Sequence, residues 1–582
     1  MTQSLTHLEP APTPSVPVSG MPDLWCTYAA VRTLAWLGRA DRAPNHRSTA
    51  DYVLGRRNND GGFAWSKGMP SDAWATFYCT ATLADLGRPV PSPERTARWL
   101  RGTWSGEAYA MMPGQAPDVW ATHFSTRTAV EVCGEDVPDR TRLLAWLGAL
   151  QTAEGGLSWS PAHARVGDAD VRACYYGVAA WRALHSREAA EPPWDVAALT
   201  AWLRRQQTGS GGFTFGPEAE VPCMWATYRA VGALAALGAA PAADCAEWIL
   251  DRRDPRGAFT RWPDYPVADV WASFCAVGAL RESVGITPDV ADAVEQRLTE
   301  LACADGGFSY REPELAADAL HTAAAALLAA DDDPALPVLR SWLEGCRLPN
   351  EGGVMYMPGR GAEVRCTMWA LAAGAFQDDP RALRGIGAWL VGLQNPDGGF
   401  GYWHGRGSDL VSTATAAEIW RVVGPHTPAR LRLDGMAGFV ERCARTGDPD
   451  GAGFGNVPGA PATLRSGLHA ARILGLLGRQ DPQGVADLLD RHRVRGGGWA
   501  NQGRRMPDLA TGYEAVVTAD RFRLTVEHAH LGAFLDRTES AAGVSWSPLA
   551  PATDDPLAVC QHRLLRRRLD HPQLELPALS LT

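Results

Sequence analysis

The sequence is poor in lysine and in uninterrupted apolar stretches. Lys67 is the one lysine among 55 Lys and Arg residues, which leaves little room for Schiff-base chemistry and none for lysine-rich basic tracts. The net charge of −10 excludes the basic surface that a nucleic-acid-binding protein needs. No apolar run approaches the roughly 18 residues of a membrane-spanning helix. We therefore predict no nucleic-acid partner and no transmembrane segment, while peripheral contact with a membrane stays open.

The beginning of the chain also lacks the marks of a secretory signal. Residues 1–20 have no basic start and no apolar core, and they are rich in Pro, Ser and Thr. They are predicted to form a disordered tail. The 12 cysteines include no Cys-x-x-Cys pair, and several, such as Cys79 and Cys174, fall in apolar stretches. Buried free thiols in a reducing compartment are the simplest interpretation, so a cytoplasmic location is predicted.

What the chain does have is a repeat. A glycine pair followed by an apolar residue recurs, and a capping Asp, Glu or Thr follows it and opens an Ala-rich apolar segment. About twelve such units give a period of about 48 residues, which is typical of helical arrays. The clearest glycine pairs begin at Gly61, Gly155, Gly211, Gly306, Gly352, Gly398 and Gly497.

Each unit is predicted to be a helical hairpin. Asp269 followed by apolar residues at helical spacing indicates an N-cap and a first helix. The segment before a glycine pair, such as 388–394, indicates a second helix, and the glycines end it. No sustained strand pattern occurs, so the predicted fold class is all-α.

The second helix also carries a family resemblance. Trp389-Leu390 with Gln394, leading to Gly398-Gly399-Phe400, resembles the QW-like repeat of squalene cyclases, class II diterpene cyclases and protein prenyltransferase β subunits. In that superfamily six hairpins close into an α/α toroid, so about twelve repeats imply two toroids. We place them at 21–300 and 301–582. Insertion of one toroid into the other stays open.

Aromatic residues distinguish the first half of the chain. They stand two and five residues after most capping residues and share one helix face, a pattern that the second half lacks. One interpretation is a packed core; the other is an aromatic cavity that binds a polyprenyl chain and stabilises carbocations. The predicted substrate-binding residues are Trp25, Tyr28, Trp74, Phe77, Trp120, His123, Arg172, Tyr175, Trp225, Tyr228, Trp271 and Phe274.

Asp168 and Asp170 are the candidate acids. Asp170 alone fits an N-cap, but two carboxylates in a dry pocket do not both ionise readily, so one can act as a general acid. The stretch resembles the Asp-x-Asp-Asp motif of class II cyclases, which implies that Asp170 is the proton donor and Asp168 its neighbour. Val171 departs from that motif. The stretch Gly167–Tyr175 is also similar to the Gly-Glu-x-Asp-x-Arg-x-x-Tyr motif of prenyltransferases, which implies that Arg172 and Tyr175 line an isoprenoid pocket.

A zinc site of the prenyltransferase type is not predicted. The comparable segment, Asp305 to Phe308, has no cysteine in the second place, and His321 and His469 are each isolated on a helix. With the aromatic pairs and Asp168/Asp170, the resemblance to class II cyclases implies the leading hypothesis, a protonation-initiated, class II terpene cyclase acting on a polyprenyl diphosphate or a linear polyprene. It needs no cofactor, with Mg²⁺ optional for a diphosphate substrate. The alternatives are a non-catalytic toroid that binds a partner and a prenyltransferase-like enzyme without zinc.

Overall fold

The computed structural model describes residues 22–65, 69–311, 317–347, 352–357, 361–445, 453–479, 482–503, 506–553 and 555–580. The tail predicted for residues 1–20 lies outside these residues. The described residues divide into two compact units, one within residues 17–316 and one within residues 317–582. The bridge between Phe308 and Asp23 joins the glycine loop at Gly306 to the residue that caps the first helix, so this loop belongs to the first unit.

The first unit is a closed ring of helical hairpins. Its inner helices are α1, α3, α5, α8, α10 and α12; each contacts the next, and α12 contacts α1. The helices are α1 (Leu24–Trp36), α2 (His46–Leu54), α3 (Ala73–Asp85), α4 (Pro93–Arg101), α5 (Val119–Arg127), α6 (Arg140–Gly148), α7 (Pro161–Arg165), α8 (Val171–Arg187), α9 (Val196–Arg205), α10 (Met224–Ala236), α11 (Ala246–Leu250), α12 (Val270–Glu282) and α13 (Pro288–Glu300). A π-helical turn at Thr128–Val132 continues α5. We call this unit the first toroid.

The second unit repeats the plan. Its inner helices α14, α16, α18, α20, α22 and α24 contact one another in order, and α24 contacts α14. The helices are α14 (Ala319–Leu328), α15 (Ala335–Gly345), α16 (Val364–Ala372), α17 (Pro380–Leu393), α18 (Leu410–Val423), α19 (Leu433–Cys443), α20 (Leu464–Leu476), α21 (Pro482–Arg491), α22 (Leu509–Arg521), α23 (His528–Arg537) and α24 (Pro556–Asp570). We call this unit the second toroid.

Strands are confined to the loops. Each pair is antiparallel and has two residues a side: β1 (Phe259–Thr260) with β2 (Ala268–Asp269), β3 (Ala444–Arg445) with β4 (Gly453–Phe454), and β5 (Glu539–Ser540) with β6 (Gly543–Val544). The all-α prediction and its arrangement in two α/α toroids are confirmed, with twelve inner helices among the described residues.

The capping residues start the inner helices as predicted. The Asp72 carboxylate accepts the N–H of Ala75 at 2.8 Å, and Asp269 accepts that of Ala272 at the same distance. Two inner helices differ: α10 begins after Cys223 and α16 after Glu363, and neither side chain makes a capping hydrogen bond. The α10 aromatics therefore take the same two- and five-residue positions as those of the other inner helices.

The glycine pair is required by close packing of the loop against the next outer helix. Gly61 has φ +98°, and a Cβ there would lie 2.6 Å from the Arg95 carbonyl oxygen. A Cβ on Gly62 would lie 2.8 Å from Cδ2 of Trp99, so the outer-helix tryptophan covers the loop. The apolar residue that follows is fixed by a hydroxyl of the inner helix, as in the 3.0 Å bond from the Phe63 N–H to Thr76.

Candidate functional site

The predicted tryptophans meet on the axis of the first toroid. The ring centroid of Trp25 lies 4.8 Å from that of Trp271, 5.5 Å from Trp225 and 6.1 Å from Trp74. Trp120 lies 4.9 Å from Trp74. All five side chains are at most 6% exposed. They form a packed layer at the N-terminal ends of the inner helices rather than the wall of an open chamber.

A second aromatic layer lies one turn further along the helices. Its six members form a circle in which neighbouring ring centroids lie 5.2 to 5.9 Å apart. Burial and the charges of two nearby arginines hold the pKa of His123 well below its ordinary value, so this ring is neutral. The circle consists of Tyr28, Phe77, His123, Tyr175, Tyr228 and Phe274.

The sequence analysis missed a third set of rings. Tyr78, Phe124 and Tyr176 follow directly after members of the circle and are at most 5% exposed. Tyr78 stacks on Tyr28 with centroids 4.1 Å apart and planes at 6°. In the sequence these rings are visible as aromatic residues directly after Phe77, His123 and Tyr175. A search for aromatic pairs at positions i and i+3 does not find them. These rings fill the space between the two layers.

Guanidinium groups of the protein already occupy aromatic faces in this layer. The Arg261 guanidinium carbon lies 3.6 Å from the Trp225 ring centroid, and this arginine is 1% exposed. Arg229 donates to the Tyr176 hydroxyl at 3.3 Å and is also buried. In both cases the face of an aromatic ring stabilises a guanidinium cation. The cyclase hypothesis expects these ring faces to stabilise substrate carbocations instead.

The two candidate carboxylates differ in their surroundings. Asp170 caps α8 through the Arg172 N–H at 2.7 Å, and its two oxygens accept from Nε and Nη2 of Arg172 at 2.9 and 2.7 Å. This bidentate pair joins the cap of α8 to the Arg172 side chain. Burial and the Asp170 charge raise the pKa of Asp168 to about 6, although Arg172 opposes the shift. Asp168, which the motif resemblance gives as the neighbour of the proton donor, therefore keeps its proton to a higher pH than an exposed aspartate does.

An open cavity lies at the other end of the first toroid. It has a volume of about 430 Å³ and is bounded by residues five to sixteen positions after the capping residues, in the C-terminal parts of five inner helices. We call it the axial cavity. It is lined by Tyr28, Arg32, Trp36, Arg127, Glu131, Tyr175, Val178, Ala179, Arg182, Ala183, Ser186, Tyr228, Gly232, Ala233, Ala236, Gly278, Arg281 and Glu282.

Of the twelve predicted substrate-binding residues, three line the axial cavity. Tyr28, Tyr175 and Tyr228 form its aromatic floor, and the hydroxyls of the latter two lie 2.8 Å apart. Burial raises the pKa of Tyr28 to about 12, so this phenol is neutral. Asp170 and Arg182 are twelve residues apart on α8, which places the carboxylates about 18 Å along the helix from the cavity mouth.

Arginine dominates the charge of the axial cavity. Arg32 pairs with Asp85 at 2.6 Å, outside the lining, and Arg127 makes a two-pronged pair with Glu131 at 2.8 and 2.9 Å. Arg182 is exposed and forms no ion pair with any residue that the structure describes. With Arg281, the lining holds four arginines against two glutamates. The cavity combines an aromatic floor with a cationic mouth.

No group of three or more His, Cys, Asp and Glu side chains in the described ranges could hold a metal ion. His469 instead contacts Glu514 at 3.3 Å, and His321 contacts Asp318. None of the described helices is both long and apolar enough to cross a membrane.

Comparisons with known proteins place this architecture. The model of the prenyltransferase alpha-alpha toroid domain family matches residues 11–103, 70–240, 195–353 and 321–463. No curated protein sequence matches the chain.

Several solved structures resemble the chain at low identity. The ent-copalyl diphosphate synthase from Streptomyces platensis has 17% identity and a TM-score of 0.41, with 94% of this chain and 95% of that chain covered. The Candida albicans protein geranylgeranyltransferase-I has 12% identity and a TM-score of 0.38, with 47% and 91% covered. The type II terpene cyclase MstE from Scytonema has 16% identity and a TM-score of 0.30, with 41% and 71% covered.

Proposed function

This chain belongs to the prenyltransferase alpha-alpha toroid domain family, and from that premise we propose that its first toroid binds a prenyl diphosphate in the axial cavity. The observation that carries the proposal is the cavity itself, with an aromatic floor and four arginines in its lining. Its volume of about 430 Å³ lies in the range of small-molecule sites.

The floor and the small wall residues suit a hydrocarbon chain. Three tyrosines and Trp36 supply aromatic surface, while Ala179, Gly232 and Ala236 leave room between the helices. Burying apolar surface gives about 25 cal/mol per Å², so a branched prenyl chain gains several kcal/mol here. The packed tryptophan layer closes the far end and limits the length of chain that fits.

The mouth suits the diphosphate. Arg182 and Arg281 are the two lining arginines nearest to solvent, with Arg281 45% exposed at its side chain. Arginine binds phosphate oxygens through paired N–H donors, and a hydrogen bond to a charged group contributes about 1.5–3 kcal/mol. Loss of either arginine should therefore weaken diphosphate binding by about 10- to 100-fold.

The test is calorimetric titration of the full chain with farnesyl and geranylgeranyl diphosphate, and with farnesol and inorganic pyrophosphate. We expect the diphosphate esters to bind more tightly than either part alone. Arg182→Ala and Arg281→Ala should weaken the esters and leave farnesol almost unchanged. Ala236→Phe, which fills the cavity, should weaken all prenyl ligands.

Arg98→Ala is the matched control, because Arg98 is an exposed arginine on the outer helix α4. Arginines near helix C-termini also offset the helix dipole. If the two mouth variants lower the melting temperature but bind every ligand as the unaltered chain does, the arginines serve only the helices. The proposal would then be wrong.

A second candidate function is protonation-initiated cyclisation, and the raised pKa of Asp168 favours it. In this version Asp168 protonates a terminal alkene at the N-terminal end of the toroid, while Asp170 stays paired with Arg172. Incubation with geranylgeranyl diphosphate or squalene and mass analysis of the products tests it. A product of unchanged mass that disappears with Asp168→Asn supports cyclisation; undiminished turnover in that variant refutes it.

The remaining parts of the proposal concern what the reaction needs and where it takes place. In this proposal the chain acts on isoprenoids without zinc, and Mg²⁺ is an optional counter-ion for a diphosphate substrate. The free thiols of all twelve cysteines support a reducing, cytoplasmic environment. A chelator should leave binding of farnesol unchanged and weaken binding of the diphosphate if Mg²⁺ takes part.

A further inference from the structure

The axis of the second toroid is filled by the chain itself. After α24 the backbone turns back, and Leu576, Ala578, Leu579 and Ser580 are 1, 2, 0 and 3% exposed. We call Leu576–Ser580 the axial segment. It has no secondary structure, so its burial does not come from membership of a helix or sheet.

Side chains from three inner helices bind the backbone of this segment. Tyr513 of α22 donates its hydroxyl to the Pro577 carbonyl at 2.9 Å. Gln561 of α24 donates to the Leu579 carbonyl at 3.0 Å. The indole N–H of Trp369, on α16, donates to the Ser580 carbonyl at 3.2 Å. Recognition of main-chain carbonyls by side chains from several elements is how a groove holds an extended peptide.

The inner end of the segment meets a buried polar cluster. The Ser580 hydroxyl donates to Oε1 of Glu514 at 2.9 Å. Glu514 also pairs with Arg472 at 2.6 Å and lies 3.3 Å from His469. Arg472 and His469 hold the pKa of Glu514 well below its ordinary value, so the acceptor is a carboxylate. This cluster suits a hydrogen-bond donor at position 580, while Leu576 and Leu579 pack into the hydrophobic core of the second toroid.

The connection between α24 and the axial segment is exposed. All five residues from His571 to Glu575 are exposed, and Arg521 pairs with Glu575 at the edge. We propose that the axis of the second toroid is a binding site for an extended apolar peptide, and that the axial segment occupies it as an intramolecular ligand. The assignment is independent of the isoprenoid proposal, which concerns the first toroid.

The test cuts the connection after folding. A protease site is placed within residues 571–575, the full chain is purified and cleaved, and a fluorescein-labelled peptide of residues 572–582 is added. We expect the cleaved chain to exchange its segment for the labelled peptide, with saturable anisotropy. The uncut chain should bind at least tenfold more weakly, because its own segment competes at high effective concentration.

Competitor peptides provide the matched controls. Leu579→Asp places a charge at a fully buried position and should compete at least about 30-fold more weakly than the unaltered peptide. Gln573→Ala changes an exposed position and should compete equally. A chain ending at residue 571 gives a second measurement, and it should bind the labelled peptide without cleavage.

Three results would overturn the proposal. Retention of the cleaved segment against excess peptide over days, measured by mass spectrometry, would make it a permanent part of the core. Equal binding by cut and uncut chains would place the peptide elsewhere. Failure of both the cleaved and the shortened chain to bind, with native circular dichroism retained, would show that the axis has no peptide site.

Discussion

Replacing Asp168 with asparagine should stabilise the protein above pH 6. Asp168 is half-buried, and burial together with the nearby Asp170 charge raises its pKa to about 6. An exposed aspartate has a pKa of about 4. The ionised form is therefore less favourable in the folded chain than in the unfolded one. Asparagine keeps the shape of the side chain and removes the charge.

The sign of the pH dependence follows from the raised pKa. Below about pH 4 the carboxyl is neutral in both states, and the unaltered chain carries no penalty. As the pH rises through 6, ionisation costs the folded state up to about 1.4 kcal/mol for each unit of pKa shift. After allowance for solvent screening at a partly exposed group, we expect Asp168→Asn to be more stable by about 1–3 kcal/mol at pH 8 and by little at pH 4.5.

Chemical unfolding of the full chain, followed by tryptophan fluorescence between pH 4.5 and 8, measures this difference. Asp170→Asn is the matched control, because it keeps a capping oxygen but loses the charge that faces Arg172. It should destabilise the chain by about 1–2 kcal/mol throughout pH 5–8. A stability difference between Asp168→Asn and the unaltered chain that does not change with pH would refute the reasoning, as would equal signs for the two variants.

Three further substitutions test the packing of the toroids. Gly62→Ala should lower the melting temperature strongly, by an equivalent of about 3 kcal/mol, because its Cβ would lie 2.8 Å from Trp99; Gly209→Ala, whose Cβ meets nothing within 4 Å, should be nearly neutral in the same calorimetric scan. Thr76→Val should cost about 1–2 kcal/mol by leaving a buried loop N–H without its acceptor, whereas Thr76→Ser should retain most of the stability. Glu514→Gln should cost about 3–5 kcal/mol, because it leaves a buried arginine without its counter-charge; a loss below 1 kcal/mol in urea unfolding would contradict this.

The helical repeats could be predicted because each one carries sequence signals that act over only a few residues. Asp72 and Asp269 are caps that need only the next three residues to act, and Gly61 is forced by a positive φ that other residues rarely adopt. Such signals survive without knowledge of distant contacts. Thr76 binds the residue after the glycine pair through its hydroxyl. That hydrogen bond joins residues thirteen positions apart, so the sequence around Thr76 does not indicate it.

The site was harder to predict, because the residues on one helix face do not show how wide a space the six inner helices enclose. The two- and five-residue spacing correctly placed Trp25 and Tyr28 on the inner face, yet whether such rings line or fill a hole depends on how six helices meet. Tyr78 stacks into the remaining space and closes it. The axis is open where small residues such as Gly232 and Ala236 line it, because their side chains do not fill the space.

A ring of six helices has to fill its own axis, and the two toroids do so differently. Helices spaced 8–10 Å apart around a hexagon leave a hole about 10 Å wide, and an empty apolar hole of that width is costly. The first toroid fills one end with aromatic rings and leaves about 430 Å³ open at the other. The second toroid holds an extended segment of its own chain, in which Ser580 donates a hydrogen bond to the buried Glu514. Because both toroids have the same ring of six inner helices, the side chains on the axis should determine which ligand each toroid binds. Exchanging mouth arginines for apolar residues should remove anion binding from the first toroid without changing its fold.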